Sequence, residues 1–194
     1  MRRLVMWNLQ TLDGCFEGTS PWQLDFHLAA WGEELERLSL EQLGEVGTLL
    51  FGRATYQGMA DYWTKETEKG QIADLMNGVE KVVVSSTLAE ATWRNTRLVR
   101  GDAVLEVARL KREPCRAPGR KPDADIFVFG SARLSDALSR AGLFDEYRIC
   151  VAPVVLGAGA ALWKPGWGTR LRLLDAKALA TGAVVLRYAP RPEA

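Results

Sequence analysis

The hydrophobic positions of this chain fall into short continuous runs separated by longer stretches with helical spacing. Leu4-Val5-Met6-Trp7 opens as a strand. From Pro21 to Leu38 the residues Leu24, Leu28, Trp31, Leu35 and Leu38 recur at spacings of three and four, which predicts one amphipathic helix. Leu40 to Val46 continues it after a break. Thr48 to Phe51 predicts a buried strand stopped by Gly52, and a helix runs from Ala54 towards Asp61. Lys81-Val82-Val83-Val84 reads as a strand on its β-branched residues, and Thr96 to Val99 as a weaker one. Asp102 predicts the N-cap of a helix reaching about Arg112, with Val104, Val107, Ala108 and Leu110 as its apolar positions. Ile126 to Phe129 is a further strand closed by Gly130. Ser131 to Ala141 is a helix that Gly142 ends. Tyr147 to Leu156, interrupted by Pro153, then Leu171 to Leu174 and Ala183 to Tyr188, complete the strands.

Strands alternate with helices and then give way to strands alone. That order predicts a single α/β domain over residues 1–194 with three layers: a mostly parallel central sheet, antiparallel strands at its C-terminal edge, and helices on both faces. The apolar runs are continuous, as expected of strands buried on both sides. Residues 113–125 differ, with Pro114, Pro118, Gly119 and Pro122 among mixed charges. They read as an exposed, mobile loop inserted into the domain.

Composition narrows the function classes. Lysine and arginine number 25 against 24 acidic residues, a net charge of +1, so bulk charge gives no case for nucleic acid or a membrane surface as partner. No apolar run reaches the roughly 18 residues of a membrane helix. Cys15, Cys115 and Cys150 are scattered, which suggests a reducing cytoplasm and offers no zinc spacing. No metal site is expected. No Gly-x-Ser-x-Gly elbow or Walker loop occurs. Gly157-Ala158-Gly159-Ala160-Ala161-Leu162 lacks the third glycine of a dinucleotide fingerprint and reads as a loop.

The chemistry lies where strands end. Phe51 leads into Gly52-Arg53-Ala54-Thr55-Tyr56, Val84 into Ser85-Ser86-Thr87, and Phe129 into Gly130-Ser131-Ala132-Arg133. In an open parallel sheet, ligands bind outside the carboxyl ends of the strands. A glycine there admits close backbone approach, and a helix N-terminus offers N–H groups to an anion. Gly52-Arg53 and Gly130-Ser131 could hold a pyrophosphate from both sides, with Arg53, Ser85 and Ser86 on an additional phosphate. No acidic residue follows Val84 to take ribose hydroxyls, which favours NADPH over NADH.

These turns, with Val82 to Leu88, Phe127 to Leu134, Ala141 to Ile149 and Pro153 to Gly159, resemble the dihydrofolate reductase superfamily. They are most similar to the reductase domain of the bifunctional riboflavin-biosynthesis deaminase/reductase and its stand-alone relatives. Leu12-Asp13-Gly14 matches the pattern after that family's first strand. The resemblance spans roughly residues 3–188. It implies a dihydrofolate-reductase-like fold and an NADPH-dependent reductase. It places Gly52, Arg53 and Thr55 on the phosphates, and Ser85, Ser86 and Thr87 near the adenosine 2′-phosphate. Gly130, Ser131, Ala132, Arg133 and Leu134 would lie over the pyrophosphate, with Asp13 and Gly14 flanking the nicotinamide. Gln57 stands where family members commonly carry Glu. Relatives commonly form dimers, so a homodimer is expected.

Pro21 to Leu28 resembles the first helix of true dihydrofolate reductases, which supplies a carboxylate to the pterin. Here His27 holds that position, with Asp25 two residues earlier and on another helical face. Folate itself is therefore disfavoured as substrate. His27 is the only histidine, with a charge able to change near neutral pH. Asp13, Asp25 and His27 are the candidate catalytic residues. Trp22, Phe26 and Trp63, with Trp7, are candidate substrate walls. The implied reaction is hydride transfer to a small heterocycle, a pteridine or a ribitylated aminopyrimidine. The alternatives are reduction of another planar acceptor and a nucleotide-binding relative without turnover.

Overall fold

The computed structural model describes residues 1–65 and 70–191. In chain order the elements are β1 (Leu4–Thr11), β2 (Cys15–Glu17), α1 (His27–Ala30), α2 (Glu33–Glu45), β3 (Val46–Gly52), α3 (Arg53–Trp63), α4 (Gln71–Gly78), β4 (Glu80–Val84), β5 (Thr96–Val99), α5 (Ala103–Arg112), β6 (Asp125–Phe129), α6 (Ala132–Arg140), β7 (Glu146–Ala152), β8 (Ala160–Ala161), β9 (Leu171–Ala178) and β10 (Val184–Pro190). Eight strands form one sheet in the order β5-β4-β3-β6-β1-β7-β10-β9. The pairings from β5 through β7 are parallel. β10 runs antiparallel to β7 and β9 antiparallel to β10. β2 and β8 make a separate two-stranded sheet.

Alternation along each strand sorts the continuous apolar runs into two cores. Val5, Trp7, Phe51, Val83 and Phe127 face the layer that includes Phe26, Leu35, Leu43, Tyr56 and Met76. Leu4, Met6, Leu50, Val82 and Val128 face α5 and α6 through Val107, Leu110, Leu134 and Leu138. Helices α1 to α4 thus cover one face and α5 and α6 the other.

The predicted helix over Pro21 to Leu38 is a correction. Residues 21–26 are turns and irregular backbone, with Trp22 at a left-handed φ of 65°. Only the four residues of α1 follow before Trp31 and Gly32 extend the backbone. The spacing misled because Leu28 and Trp31 do not join the core: they are 78% and 48% exposed. α2 then runs through Leu40 without the expected break. α4 was not foreseen, although Ile72, Leu75 and Met76 pack on the core and Gly78 ends it. β7 stops at Ala152, before Pro153, which removes a ladder donor.

The proline-rich stretch is anchored to its surroundings. Cys115 N–H donates to the Pro122 carbonyl at 2.8 Å. The Arg120 guanidinium donates to the carbonyls of Leu43 and Gly44, which end α2. Asp125 already belongs to β6.

The amino edge of the sheet is closed by charge pairing. Glu146, at the start of β7, accepts from Arg148 Nε and Arg187 Nε at 2.7 Å each and from Arg3 at 3.3 Å. Burial pushes its carboxyl pKa up, but Arg187 and Arg148 outweigh burial and hold it below its ordinary value. Lys81, in β4, is fully buried and donates to the carbonyls of Met76, Asn77 and Val79 around the end of α4.

Candidate active site

The carboxyl edge is built differently. β3 and β6 are neighbours, so their turns meet there. Gly130 and Ser131 take left-handed φ values of 55° and 58°. Ser131 N–H donates to Thr55 Oγ1 at 2.9 Å, and Gly52 N–H donates to Ser131 Oγ at 3.0 Å. A Cβ on Gly130 would stand 3.0 Å from Thr55 Cγ2, so glycine permits both the turn and the contact. The Ser131 hydroxyl thus takes the Gly52 N–H, and the Thr55 hydroxyl takes the Ser131 N–H. These bonds position the two helices.

What the two helices present is their first-turn backbone. Neither α3 nor α6 has a side-chain cap, and neither carries an acid in its first turn. The N–H groups of a first helical turn have no partner within the helix. Together with the helix dipole they favour an anion. Arg133 lies exposed on the first turn of α6, and among the described residues its side chain has no hydrogen bond or ion pair.

The Ser85–Thr87 turn adjoins this edge. Arg53 Nη1 donates to Thr87 Oγ1 at 3.0 Å. Ser85 is buried, and its hydroxyl accepts from the N–H groups of Thr87 and Leu88, so it shapes the turn. Ser86 and Thr87 are exposed. Sequence reading missed Arg100, which follows β5 and donates to the carbonyls of Ser86, Leu88 and Ala89. Its signal was an arginine at the carboxyl end of a strand, level with the serine turn.

Asp13 is already engaged within the chain. Its carboxylate accepts from Thr11 Oγ1, from Gly157 N–H at 2.8 Å and from Leu156 N–H at 3.3 Å. The Thr11 bond first, then the Gly157 bond, lowers its pKa. It is an ionised anchor joining the end of β1 to the loop after β7. Gly14, beside it, takes a φ of 84° and faces open space where a side chain would stand.

His27 and Asp25 part company. Asp25 is exposed in the turn before α1. His27 packs edge-on against Phe26 with ring centres 4.7 Å apart. Burial pushes its pKa down to about 4, so it is neutral near pH 7. That overturns the expectation of a charge change near neutrality. Phe26 is buried in the core. The Trp22 ring lies against α3, where a Cβ on Gly58 would stand 2.6 Å from it.

Trp63 is not at the carboxyl edge. It ends α3, about 15 Å along the helix axis from Arg53. Its carbonyl accepts from Asn77 Nδ2 at the end of α4, and it packs on the core cluster of the α1–α4 layer. Trp7 lies buried in that cluster too.

Two polar residues of β1 escaped sequence reading. Asn8 is 4% exposed, and its Nδ2 is enclosed without a hydrogen-bond partner. Gln10 Oε1 is enclosed and unpartnered as well. The signal was available: Asn8 and Gln10 alternate with Trp7 and Leu9 in an otherwise apolar strand.

A sheet of this order, with two uncapped helices at adjoining strand ends, defines a dihydrofolate-reductase-like fold. The dihydrofolate reductase of Enterococcus faecalis, solved with NADP(H), superposes with a TM-score of 0.60 at 13% identity, over 98% of this chain and 97% of that one. A Shewanella sp. PV-4 protein named for riboflavin biosynthesis gives a TM-score of 0.73 at 17% identity, covering 98% of this chain and 99% of that one. The chain belongs to the RibD C-terminal domain family, whose model matches residues 2–186. That is a family of reductases. An uncharacterized Bacillus subtilis protein, YyaP, is 28% identical over 193 residues, covering 96% of this chain and 94% of its own.

The residues fit the nicotinamide cofactor that the family implies. The uncapped first turns of α3 and α6 would take its phosphates, and the unpartnered amides of β1 leave hydrogen-bonding capacity unused on the α6 side. Among the described residues, no helix is long and apolar enough to cross a membrane, and no group of three metal-ligating side chains occurs.

Proposed function

We propose that the protein is an NADPH-dependent reductase that transfers a hydride to a small heterocycle of the pteridine or ribitylated aminopyrimidine type. The observation that carries this reading is the pair of acid-free, uncapped helix N-termini set side by side by β3 and β6. α3 and α6 would bind the pyrophosphate with first-turn N–H groups. Arg53, Ser86 and Thr87 would take the 2′-phosphate, with Arg100 bracing their turn. The cofactor, when bound, supplies the hydride. The chain's part is to hold the substrate ring beside Trp22 and His27 and to exclude water.

Proton supply favours a second reading. Asp13 is committed to three hydrogen bonds, and His27 is held neutral. A chain that binds the nucleotide without turnover would need neither as an acid. Consumption of NADPH in the presence of aminopyrimidine or pteridine acceptors separates the two readings.

Titration with NADPH and NADH, followed by tryptophan fluorescence, tests the cofactor assignment. NADPH binds more tightly than NADH. Arg53→Ala weakens NADPH and leaves NADH nearly unchanged. Equal loss for both would put Arg53 on the pyrophosphate or make it structural, and no binding of either would sink the assignment. The protein works as a cytoplasmic homodimer in this reading. Its three cysteines are free thiols, and edge strand β9 exposes Leu173 and Leu174 beside an unpaired backbone. A monomer by sedimentation would remove the dimer and leave the cofactor reading intact.

A further inference from the structure

Asn8 and Gln10 sit two apart on β1, so both side chains point to one face of the sheet. It is the α6 face: Asn8 is level with Ile149 of β7 and Gln10 with Val151, and Ile149 lies in the same core cluster as Leu134 and Leu162. Trp7 pairs with Phe129, which puts Asn8 one step further on, beside the Gly130 turn that opens α6. The two enclosed, unpartnered atoms are one donor, Asn8 Nδ2, and one acceptor, Gln10 Oε1. A buried amide without a partner destabilises a fold, and native interiors hold few of them. Two on one strand face, beside a helix N-terminus suited to phosphate, are explained by a ligand that completes them.

The complementary group is a planar amide offering one carbonyl oxygen and one N–H. We propose that Asn8 and Gln10 recognise the carboxamide of the nicotinamide ring, Asn8 donating to its oxygen and Gln10 accepting from its nitrogen. A lactam edge of a heterocyclic substrate has the same chemistry. The position of the pair favours the cofactor: it shares the α6 face, whereas Phe26 packs in the opposite layer. The open space beside Gly14, just past the end of β1, gives the ring an approach. The inference rests on the proposed cofactor reading, and its test separates the two.

The probes are NADP+, its 3-acetylpyridine analogue, in which a methyl replaces the amide nitrogen, and 2′-phospho-ADP-ribose, which lacks the ring. Binding is measured calorimetrically for the wild type, Asn8→Leu and Gln10→Leu. The wild type binds NADP+ about tenfold more tightly than the acetylpyridine analogue, the size of one hydrogen bond. Gln10→Leu binds the two alike. Asn8→Leu weakens NADP+ by about tenfold and leaves 2′-phospho-ADP-ribose unchanged. Both variants melt at or above the wild-type temperature, because each removes an unsatisfied buried group. Equal weakening of all three probes would make the pair structural and overturn the inference. Unchanged NADP+ binding in both variants, with weaker binding of a pteridine or aminopyrimidine, would assign the pair to the substrate and also overturn it. A wild type that binds 2′-phospho-ADP-ribose and NADP+ equally leaves the phosphate seat standing and refutes ring recognition. Failure to bind any probe defeats the cofactor reading itself.

Discussion

The two edges of the sheet handle charge in opposite ways. At the amino edge, acids and bases meet: Glu146 holds three arginines, and Arg3 also binds Asp125. At the carboxyl edge, α3 and α6 begin with no acid and no cap. The contrast extends to the other long helices. α2 carries Glu33, Glu34 and Glu36 in its first turn, α4 carries Asp74, and α5 has Glu106 behind the Asp102 cap. Neutralising a helix N-terminus in this way contributes roughly 0.3–1 kcal/mol. The chain does so at three helices and omits it at the two that converge. In the proposed reading, that stabilisation is forgone where a bound anion would supply the missing charge.

Four substitutions or conditions break or sharpen that contrast. The largest effect is expected from Arg133→Glu, which writes the pattern of α5 onto α6. NADPH affinity falls roughly 30-fold or more, the value of a charged hydrogen bond plus repulsion. The melting temperature holds or rises, because an acid suits that position. Unaltered affinity in a titration would show that α6 is not an anion seat.

Thr55→Val leaves the Ser131 N–H without its acceptor and costs about 2 kcal/mol of unfolding free energy. Chemical denaturation reads that cost, and NADPH binding weakens along with it. Undiminished stability would mean the two turns are held by other contacts.

His27 supplies the third. Its pKa is about 4 in the folded chain, against an ordinary 6.5. Between those values the unfolded chain binds the proton first, so stability falls as pH drops from 6.5 towards 4. At pH 5.5 the loss is on the order of 1–2 kcal/mol. Denaturation curves of the wild type and His27→Gln at pH 7.5 and 5.5 measure it. Identical pH dependence in both would exclude His27 as its source.

The smallest is Asp102→Ala at the capped helix. It costs about 1 kcal/mol of stability and leaves NADPH binding unchanged. A drop in affinity there would mean that the helices do not divide labour as described.

Much of this was legible in the residues, because apolar runs ending in Gly52, Ser85 and Gly130 mark both the strands and the edge where they open. Periodicity failed where it could not weigh burial. Leu28 and Trp31 have helical spacing but stay exposed, so the predicted first helix became the four residues of α1 and the separate start of α2. Motif position also says nothing of which hydrogen bonds a side chain has already made. Thr55 and Asp13 fall where a ligand contact was expected, yet both hold the protein to itself. Trp63 was misplaced because an aromatic residue late in a helix lies a full helix length from the turn that begins it. Asn8 and Gln10 were passed over because a polar residue inside an apolar strand becomes informative only when its lack of a partner is visible.

The bond between Ser131 and Thr55 joins residues 76 positions apart. Neither half of the chain can assemble the seat alone, since β3 comes from the first third and β6 from well past the middle. Closing so long a loop is entropically costly, and contacts of that range slow folding. Local helices form early on such a landscape, while competence to bind waits for two distant strands to become neighbours. In the proposed reading, a nascent chain on the ribosome is blind to nucleotide until β6 has emerged. Bound nucleotide would act on the completed domain, as a brake on its unfolding.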